Sequence, residues 1–488
     1  MKISTFRIFV FASALLLAPA TVTAQDHDAG MAAYGRGDYA TAAREFQALA
    51  NSGDAYAQSR LGAMYYRGQG VPQDKSEAAR LYRLAAEKGF ADAQVLLGFL
   101  YYRGEGVSQD KSEAVRLLRL AADQGSDIAQ TSLGEIYEVG DGVSQDKLEA
   151  ARLYRLAAEQ GNAEAQYKLG VMYTSGDGMP PDLSEAVRLF RLAAEQGFAK
   201  AQYGLAVSYA TGSGVPADMS EALRWTRLAA EQGLADAQHR LGVLYIGGEE
   251  VSADPSEAAR YFRLAADQGH AEAQYFLGLQ YDSGHGVPID PSEAVRLLSL
   301  AADQGLADAQ YRLGVIYVLG QGVPRNESEG VKLFRLAADQ GHAEAQYDLG
   351  FRYDHGDGLP KDPSEAFRLY RLAAEQGLSD AQFGLAVMYD LGEGVPKNTS
   401  EAVRLYRLAA EQGHAKAQYN LGVMYNTGEG VPKNLVRAHL WANVAAANGH
   451  EEARGFRDWL EQKMDTVQIS DAEHKGLKCM TSGYKECD

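Results

Sequence analysis

Two serines in this chain are each followed three positions later by a lysine, which is the spacing of a nucleophilic serine and its lysine partner in β-lactamases. The pairs are Ser108 with Lys111 and Ser144 with Lys147. Each serine falls in a predicted turn, where most copies of a repeated block have Pro, and no S-D-N or K-T-G motif accompanies the pairs. The pattern therefore favours turn residues. The pairs nevertheless leave one enzymatic function open as an alternative, that of a cell-wall-related hydrolase or β-lactam-binding protein.

The histidines and cysteines lack the grouping that a metal site needs. His270, His342 and His414 each follow a glycine in separate copies of the block, too far apart in sequence for a compact ligand set. The only cysteines, Cys479 and Cys487, lie in the last ten residues. Two neighbouring cysteines in an oxidising compartment favour a disulfide. We therefore predict a disulfide between them, and no metal, cofactor or catalytic residue.

A single spacing organises most of the chain. Within each block, apolar residues recur at intervals of three and four on both sides of a Gly/Pro interruption, which predicts two antiparallel helices per block. Units of this kind bury their apolar faces by stacking on their neighbours. We therefore predict an all-α protein with an α/α solenoid fold. The marker of the period is a glutamine that recurs every 36 residues in eleven copies: Gln58, Gln94, Gln130, Gln166, Gln202, Gln238, Gln274, Gln310, Gln346, Gln382 and Gln418.

The second block shows how the first helix of each copy is expected to fold. That helix is predicted over about 92–103, with Ala93, Leu97 and Tyr101 on one buried face. Gly98 lies mid-helix, where glycine costs about 1 kcal/mol relative to alanine, so we infer close packing against the second helix. The Gly-x-Gly-Val-Pro segment of the blocks follows a helix and has no Lys-Ser/Thr sequel, which indicates a turn rather than a phosphate-binding loop.

The second helix of each block is expected to begin with a capping box, such as Asp110 with Glu113. It should end where a glycine such as Gly125 adopts a left-handed conformation. Glu113 also precedes Arg116 by three residues, the spacing of a surface ion pair on a helix. These carboxylates are therefore interpreted as caps and surface pairs, and not as acid–base catalysts.

The first 24 residues predict an export signal. Lys2 and Arg7 precede a short apolar run, and the small-residue site before Gln25 resembles a cleavage site. Removal of this segment changes the formal charge from −18 to −18 − 2 = −20, because it contains two basic and no acidic residues. Such an acidic chain repels polyanions, so no nucleic-acid partner is expected. No later stretch is apolar enough to insert into a membrane, and we expect a periplasmic or secreted protein.

The block A-x-A-Q-x-x-L-G-x-x-Y-x-x-G-x-G-V, followed by S-E-A-x-R-L-Y-R-L-A-A-E-Q-G, resembles the Sel-one-like repeat family, a relative of the tetratricopeptide repeats. The resemblance covers 54–449 in eleven copies and implies a right-handed superhelix of antiparallel helix pairs. Residues 25–53 resemble a shorter tetratricopeptide-like pair that caps the amino end. Residues 450–488 are expected to form carboxyl-terminal capping helices, the second of which opens at a capping box of Ser470 and Glu473.

The resemblance implies a non-enzymatic adaptor that holds a protein or peptide partner. Exported bacterial members of the family include periplasmic regulators of envelope signalling and secreted factors that meet host cells. A cysteine-rich exported branch has been linked to penicillin binding and β-lactam hydrolysis, and its members carry a cysteine pair in each repeat. This chain has no cysteine in its repeats, so that activity is not carried over.

Comparison of the copies predicts where a partner binds. If the helices stack as in tetratricopeptide arrays, the first helices line the concave side and the position after each glutamine points inward. An aromatic row beside varied polar residues suits peptide binding. Three aspartates and an asparagine further along the first helices would make the carboxyl half of the groove acidic and attract a basic or amide-rich segment: Asp282, Asp354, Asp390 and Asn426. The aromatic row consists of Tyr167, Tyr203, Tyr275, Tyr311, Tyr347, Phe383 and Tyr419.

The alternative is that these rings serve only packing between adjacent first helices. The neighbouring row is diverse, with Lys168, Arg312 and Asp348 among its members. Exposed surfaces vary without function as a rule. The diversity of this row could therefore be drift on a solvated face.

Overall fold

The computed structural model describes residues 24–487, which form 26 α-helices and no β-strand. Except for Ala24, the predicted export signal 1–24 lies outside the described residues. No described helix combines the length and apolar character that a membrane crossing requires. The amino-terminal helices are α1 (Ala24–Gly35) and α2 (Tyr39–Asn51).

Each 36-residue copy contributes a first and a second helix of 12 or 13 residues. The first helices are α3 (Ala55–Arg67), α5 (Ala91–Arg103), α7 (Asp127–Val139), α9 (Ala163–Ser175), α11 (Ala199–Thr211), α13 (Ala235–Gly247), α15 (Ala271–Ser283), α17 (Ala307–Leu319), α19 (Ala343–His355), α21 (Ser379–Leu391) and α23 (Ala415–Thr427). The second helices are α4 (Lys75–Glu87), α6 (Lys111–Asp123), α8 (Lys147–Glu159), α10 (Leu183–Glu195), α12 (Met219–Glu231), α14 (Pro255–Ala266), α16 (Pro291–Asp303), α18 (Glu327–Asp339), α20 (Pro363–Glu375), α22 (Thr399–Ala410) and α24 (Leu435–Ala447).

The helices group into two compact units, which divide between Gln232 and Gly233. The described part of the first unit contains α1, α2 and repeats 1–5, and that of the second contains repeats 6–11 and the carboxyl-terminal helices. In each unit the two helices of a repeat pack on each other, and the second helix also packs on the first helix of the following repeat. The fold is therefore an all-α solenoid.

The helix boundaries follow local chemistry, with one departure from the expected capping box. Asp110 caps α6 by accepting a hydrogen bond from the backbone amide of Glu113. The Glu113 side chain does not complete the box, because it binds the guanidinium of Arg116 through both carboxylate oxygens at 2.7 Å. A charge-assisted bidentate contact is stronger than a bond to one amide. Gly125 follows the helix with φ of +91°, the left-handed value that glycine adopts without strain.

The mid-helix glycines allow the two helices of a repeat to approach each other. A Cβ atom built on Gly170 would lie 2.7 Å from Cε1 of Phe190 in α10, and one on Gly134 would lie 2.7 Å from Tyr154 in α8. Repeat 5 has Ala206 at this position, and its second helix carries the smaller Thr226 in place of the ring. The inference of close packing is therefore confirmed, and the opposing side chain is an aromatic ring in most repeats.

Replacing Gly170 by leucine is expected to lower the free energy of unfolding by about 1–2 kcal/mol. Overpacking costs about 1–3 kcal/mol, and the better helix propensity of leucine offsets up to ~1 kcal/mol. Gly455→Leu in α25 is the matched control, because a Cβ there meets nothing within 4 Å. The control should be neutral or stabilising in denaturant unfolding. Equal stability of the two variants would contradict the packing argument.

The recurrent glutamines join successive repeats through buried hydrogen bonds. The Nε2 of Gln310 in α17 donates to the carbonyl of Ala302 in the preceding second helix at 3.1 Å. Its Oε1 accepts a hydrogen bond at 2.7 Å from Gln340, which follows α18. Gln310 is only 5% exposed. One side chain thus connects the ends of three helices, and equivalent bonds recur along both units.

The tyrosine that recurs near the end of each first helix, at the position of Tyr101, adds a second connection between repeats. These tyrosines are mostly half-buried rather than core residues, and their hydroxyls accept hydrogen bonds from an arginine of the preceding second helix. In the second unit these bonds join Arg263 to Tyr281 at 2.7 Å and Arg335 to Tyr353 at 2.8 Å. The interpretation of this tyrosine stripe as pure core was therefore incomplete.

The carboxyl-terminal helices are α25 (Glu451–Glu461) and α26 (Thr466–Thr481). The expected helix start at Ser470 and Glu473 is wrong, because α26 begins earlier. Asp465 caps it and forms a complete capping box with Gln468. A disulfide joins Cys479 to Cys487, and both cysteines are buried.

Candidate functional site

The aromatic row lies partly buried between the helices of each repeat. Tyr311 packs on Phe334 of its own second helix with ring centroids 5.6 Å apart, and Tyr347 packs on Tyr370 at 5.8 Å. Burial raises the pKa of both row tyrosines above the ordinary value, ahead of the effect of nearby carboxylates. The other row residues are also partly buried: Tyr167, Tyr203, Tyr275, Phe383 and Tyr419. The rings therefore have a packing role, but against the second helix of their own repeat, whereas the alternative placed them between adjacent first helices. Each ring keeps some exposed surface.

Histidines at the helix starts complete the row. His342 packs on Tyr311 with ring centroids 4.6 Å apart and the planes tilted by 32°, and His414 stacks on Phe383 at 4.7 Å. Each histidine is the N-cap of its first helix, and its Nδ1 accepts a backbone amide hydrogen bond. In the sequence these histidines were recognised only as residues that follow a glycine, and their contact with the row was missed. The signal that could have revealed it is the constant spacing between a row residue and the histidine that opens the following repeat.

Histidine replaces tyrosine in the row of repeat 6. The ring of His239 lies 4.7 Å from His270, 5.8 Å from Phe262 and 5.7 Å from Phe276, measured between centroids. Burial and the neighbouring His270 lower the pKa of His239 from its ordinary 6.5 to about 4, outweighing the attraction of nearby carboxylates. His239 is therefore neutral at physiological pH.

Replacing His239 by phenylalanine is expected to make the second unit less sensitive to acid. The folded-state pKa of about 4 lies below the unfolded value of 6.5, so the unfolded chain binds more protons between these pH values. The stabilisation from neutral His239 is complete above pH 6.5 and is lost as pH falls towards 4. Melting temperatures across this window should fall less for His239→Phe than for the unaltered protein. The exposed His474 gives the control His474→Phe, and identical slopes for all three proteins would contradict the assignment.

The predicted acidic positions separate into two kinds. Asp282 forms an ion pair with Arg312 of the following repeat, so the expectation that it adds negative charge to the surface is corrected. Asp354 and Asp390 instead each face a tyrosine hydroxyl in the second helix of the same repeat. Burial is the main cause of the raised pKa of these tyrosines, and the aspartate charges add to it. Asn426 is partly buried near the end of α23.

Asp348, in the diverse row, adds a further carboxyl group to α19. The Tyr311 hydroxyl donates a hydrogen bond to its Oδ2 at 3.2 Å. Burial raises the pKa of Asp348 above its usual range, more than the hydrogen bond lowers it. The carboxyl groups of Asp348 and Asp354 therefore lie on the same helix, and one of them is held by a row tyrosine.

The serine–lysine pairs do not form a catalytic arrangement. Ser108 and Ser144 are exposed in the turns between helices. Lys111 is paired with Asp141 at 2.5 Å and Lys147 with Asp177 at 2.7 Å, each carboxylate belonging to the next turn. Within residues 24–487, no group of three or more His, Cys, Asp or Glu side chains could hold a metal ion.

Stacked helix pairs with buried connecting bonds and a half-exposed row of rings define a repeat scaffold, a class whose long surfaces serve protein–protein contacts. A family model described as the Sel1 repeat matches eleven consecutive segments of the chain. These are residues 55–90, 91–126, 127–162, 163–198, 199–234, 235–270, 271–306, 307–342, 343–378, 379–414 and 415–450. The chain belongs to the Sel1 repeat family.

Solved structures include similar proteins. A protective antigen of uropathogenic Escherichia coli strains, which displays an SLR fold, is 33% identical over 91% of this chain and 96% of its own, with a TM-score of 0.79. A Sel1 repeat protein from Oxalobacter formigenes is 34% identical over 50% of this chain and 96% of its own, with a TM-score of 0.46. A search of curated proteins finds no match.

Proposed function

We propose that the protein is an exported scaffold that binds a segment of another protein along the surface of its first helices. The observation that carries this proposal is the row of half-exposed rings beside the diverse row. Large rigid rings give contact area at low entropic cost, and varied polar neighbours give selectivity. We place the protein in the periplasm or outside the cell, as an envelope signalling regulator or a factor that meets host cells.

Two features of the repeats support the use of this surface. The rings are fixed by contacts on two sides, such as those of Tyr311 with Phe334 and His342, so little side-chain freedom remains to be lost on binding. Successive repeats also present the row at a constant interval of 36 residues. Such a surface suits an extended partner segment better than a small molecule.

Site-specific photo-crosslinking tests the proposed surface. A photoreactive phenylalanine derivative placed at Ser132 in the first unit or Arg240 in the second should capture an envelope protein of the source organism. Both positions belong to the diverse row and are partly exposed. Leu192 and Leu264, which are 37% and 41% exposed on second helices, are matched controls. Capture only from the leucine positions would contradict the proposal.

Export has a separate test. The protein recovered from the periplasm or the medium should begin at Gln25, because the small-residue site before it fits signal cleavage. Amino-terminal sequencing of the fractionated protein measures this. Recovery of an uncleaved chain from the cytoplasm would contradict export and leave the binding surface to be judged by crosslinking.

A further inference from the structure

We propose that Asp354, beside Gly384, receives an arginine side chain of the partner. This inference rests on the proposed function and names the chemistry that part of the same surface recognises. It follows from a comparison of repeats within this chain. In two places, a carboxylate in the last turn of one first helix pairs with a cation in the second turn of the next first helix.

The first internal example is in the first unit. The carboxylate of Glu138 in α7 accepts a hydrogen bond from the Tyr154 hydroxyl at 2.7 Å and lies 3.4 Å from the ammonium of Lys168 in α9. Glu135 also contacts Lys168, at 3.0 Å. Burial opposes the charged form of Lys168, and these two carboxylates outweigh it, so that the pKa of Lys168 is raised. Two carboxylates and a tyrosine hydroxyl thus form a cation site here.

The second internal example shows that aspartate can hold a guanidinium at the same register. Asp282 in α15 pairs with Arg312 in α17, again between successive first helices. The Asp282 side chain is 19% exposed and that of Arg312 is 35% exposed. The contact is therefore partly desolvated, a setting in which an arginine–carboxylate pair is stronger than in open solvent.

Repeat 9 keeps the carboxylate and the tyrosine but supplies no cation. Asp354 in α19 corresponds to Asp282 and Glu138, and it faces the Tyr370 hydroxyl as Glu138 faces Tyr154. The residue at the register of Lys168 and Arg312 is Gly384 in α21, which has no side chain to reach the carboxylate.

No other basic side chain fills the place of the missing cation. Among the described residues, no lysine or arginine lies within ion-pair distance of Asp354. The nearest basic group is the His355 imidazole, whose Nδ1 lies 3.8 Å away and also contacts the Phe351 carbonyl at 3.0 Å. The Asp354 carboxylate is therefore open to a cation from outside the chain.

The surroundings of Asp354 select arginine over lysine. The position that carries Glu135 in the first example carries Phe351 here, so an aromatic ring replaces the second carboxylate. Phe351 is partly exposed and stacks on His355 with centroids 4.0 Å apart. A guanidinium is planar and weakly hydrated, and it stacks on rings while it pairs with a carboxylate. A compact ammonium gains less from a ring and loses more hydration.

The charge of the neighbouring helices supports a cationic occupant. α21 carries two aspartates, Asp380 and Asp390, and no basic residue. α19 carries Glu344, Asp348 and Asp354 against one arginine, so its formal charge is −3 + 1 = −2 with histidine neutral. In contrast, α17 carries one aspartate and one arginine. The electrostatic potential is therefore more negative at the helices where the internal cation is missing, and it would steer a basic segment to this site.

Peptide selection and two blocking variants test the site. A random peptide library should be selected on the immobilised full protein, and the tightest peptide measured by fluorescence polarisation. We expect that peptide to require one arginine, with roughly tenfold or greater loss when it is changed to lysine or glutamine. Gly384→Lys, which recreates the internal cation of the first example, and Asp354→Asn should each weaken binding by a similar factor.

Matched controls separate the site from general effects. Gly204→Lys places the same cation at the same register of repeat 5, where Thr174 stands in place of the carboxylate. Asp282→Asn removes a carboxylate that is already paired. Both should weaken peptide binding much less than Gly384→Lys and Asp354→Asn do. Selected peptides without an essential arginine would overturn the arginine site, and so would an equal loss of peptide affinity in Gly384→Lys and Gly204→Lys. The proposed function would still be tested separately, by crosslinking from Ser132 and Arg240.

Discussion

Replacing Trp441 by alanine is expected to lower the local free energy of unfolding of the carboxyl-terminal helices by about 3–5 kcal/mol, the usual cost of removing a buried aromatic side chain. Trp441 lies in α24 and is 1% exposed. It belongs to the buried cluster that also includes Leu460 of α25 and Cys479 of α26. The helices α25 and α26 pack on α24 of the last repeat, and this cluster fills the space between them.

Hydrogen exchange is the appropriate measurement, because a long repeat chain need not unfold in a single step. Amides of α24, α25 and α26 should exchange faster in Trp441→Ala, while those of α3 to α6 should be unchanged. Trp459 supplies the control, since it is 41% exposed and lies on the surface of α25. Trp459→Ala should have little effect. A similar response of the two variants would mean that Trp441 does not hold these helices together.

The second large effect is expected for Gln310→Leu, which should cost about 1–2 kcal/mol in the second unit. The substitution leaves the Ala302 carbonyl without its side-chain donor and removes the acceptor of Gln340. The Ala302 carbonyl still accepts a hydrogen bond from the backbone amide of Gly305 at 2.9 Å, so the variant loses two hydrogen bonds, worth about 0.5–1.5 kcal/mol each, and leaves no carbonyl unpaired. Gln340 also donates to the Leu336 carbonyl at 3.3 Å, so the second loss is partly compensated.

The consequence of Gln310→Leu should extend beyond stability. Because these bonds connect successive repeats, their loss should weaken coupling across the junction between α16 and α17 and broaden the unfolding transition of the second unit. Gln321→Ala, in an exposed turn, is the control and should change neither midpoint nor slope. If Gln310→Leu lowered the midpoint without altering the slope, the glutamine would stabilise its own repeat only.

The elements could be predicted because their causes are local. A 36-residue period, apolar spacing of three and four, Asp110 before α6 and Gly125 after it all act within a few residues. The start of α26 was misplaced because two capping signals compete, and Asp465 with Gln468 forms the complete box. Glu113 was predicted both to complete the capping box and to pair with Arg116, and only the pair is confirmed, since a bidentate arginine competes with one amide.

The contacts between repeats could not be predicted from local patterns. The Asp282–Arg312 pair joins two successive repeats and depends on how one first helix lies beside the next. The same is true of the glutamine bonds and of His342 packed on Tyr311. Aromatic residues after the glutamines were identified from sequence, but their partial burial follows from rings in the second helices, such as Phe334.

The most direct test of the binding surface is a crystal structure of the protein with the tightest selected peptide. We predict that the peptide lies across α19 and α21, with its arginine guanidinium within hydrogen-bond distance of the Asp354 carboxylate and against the Phe351 ring. A peptide bound instead on the second helices, over residues such as Leu264 or Leu408, would contradict the assignment of the first-helix surface as the binding site.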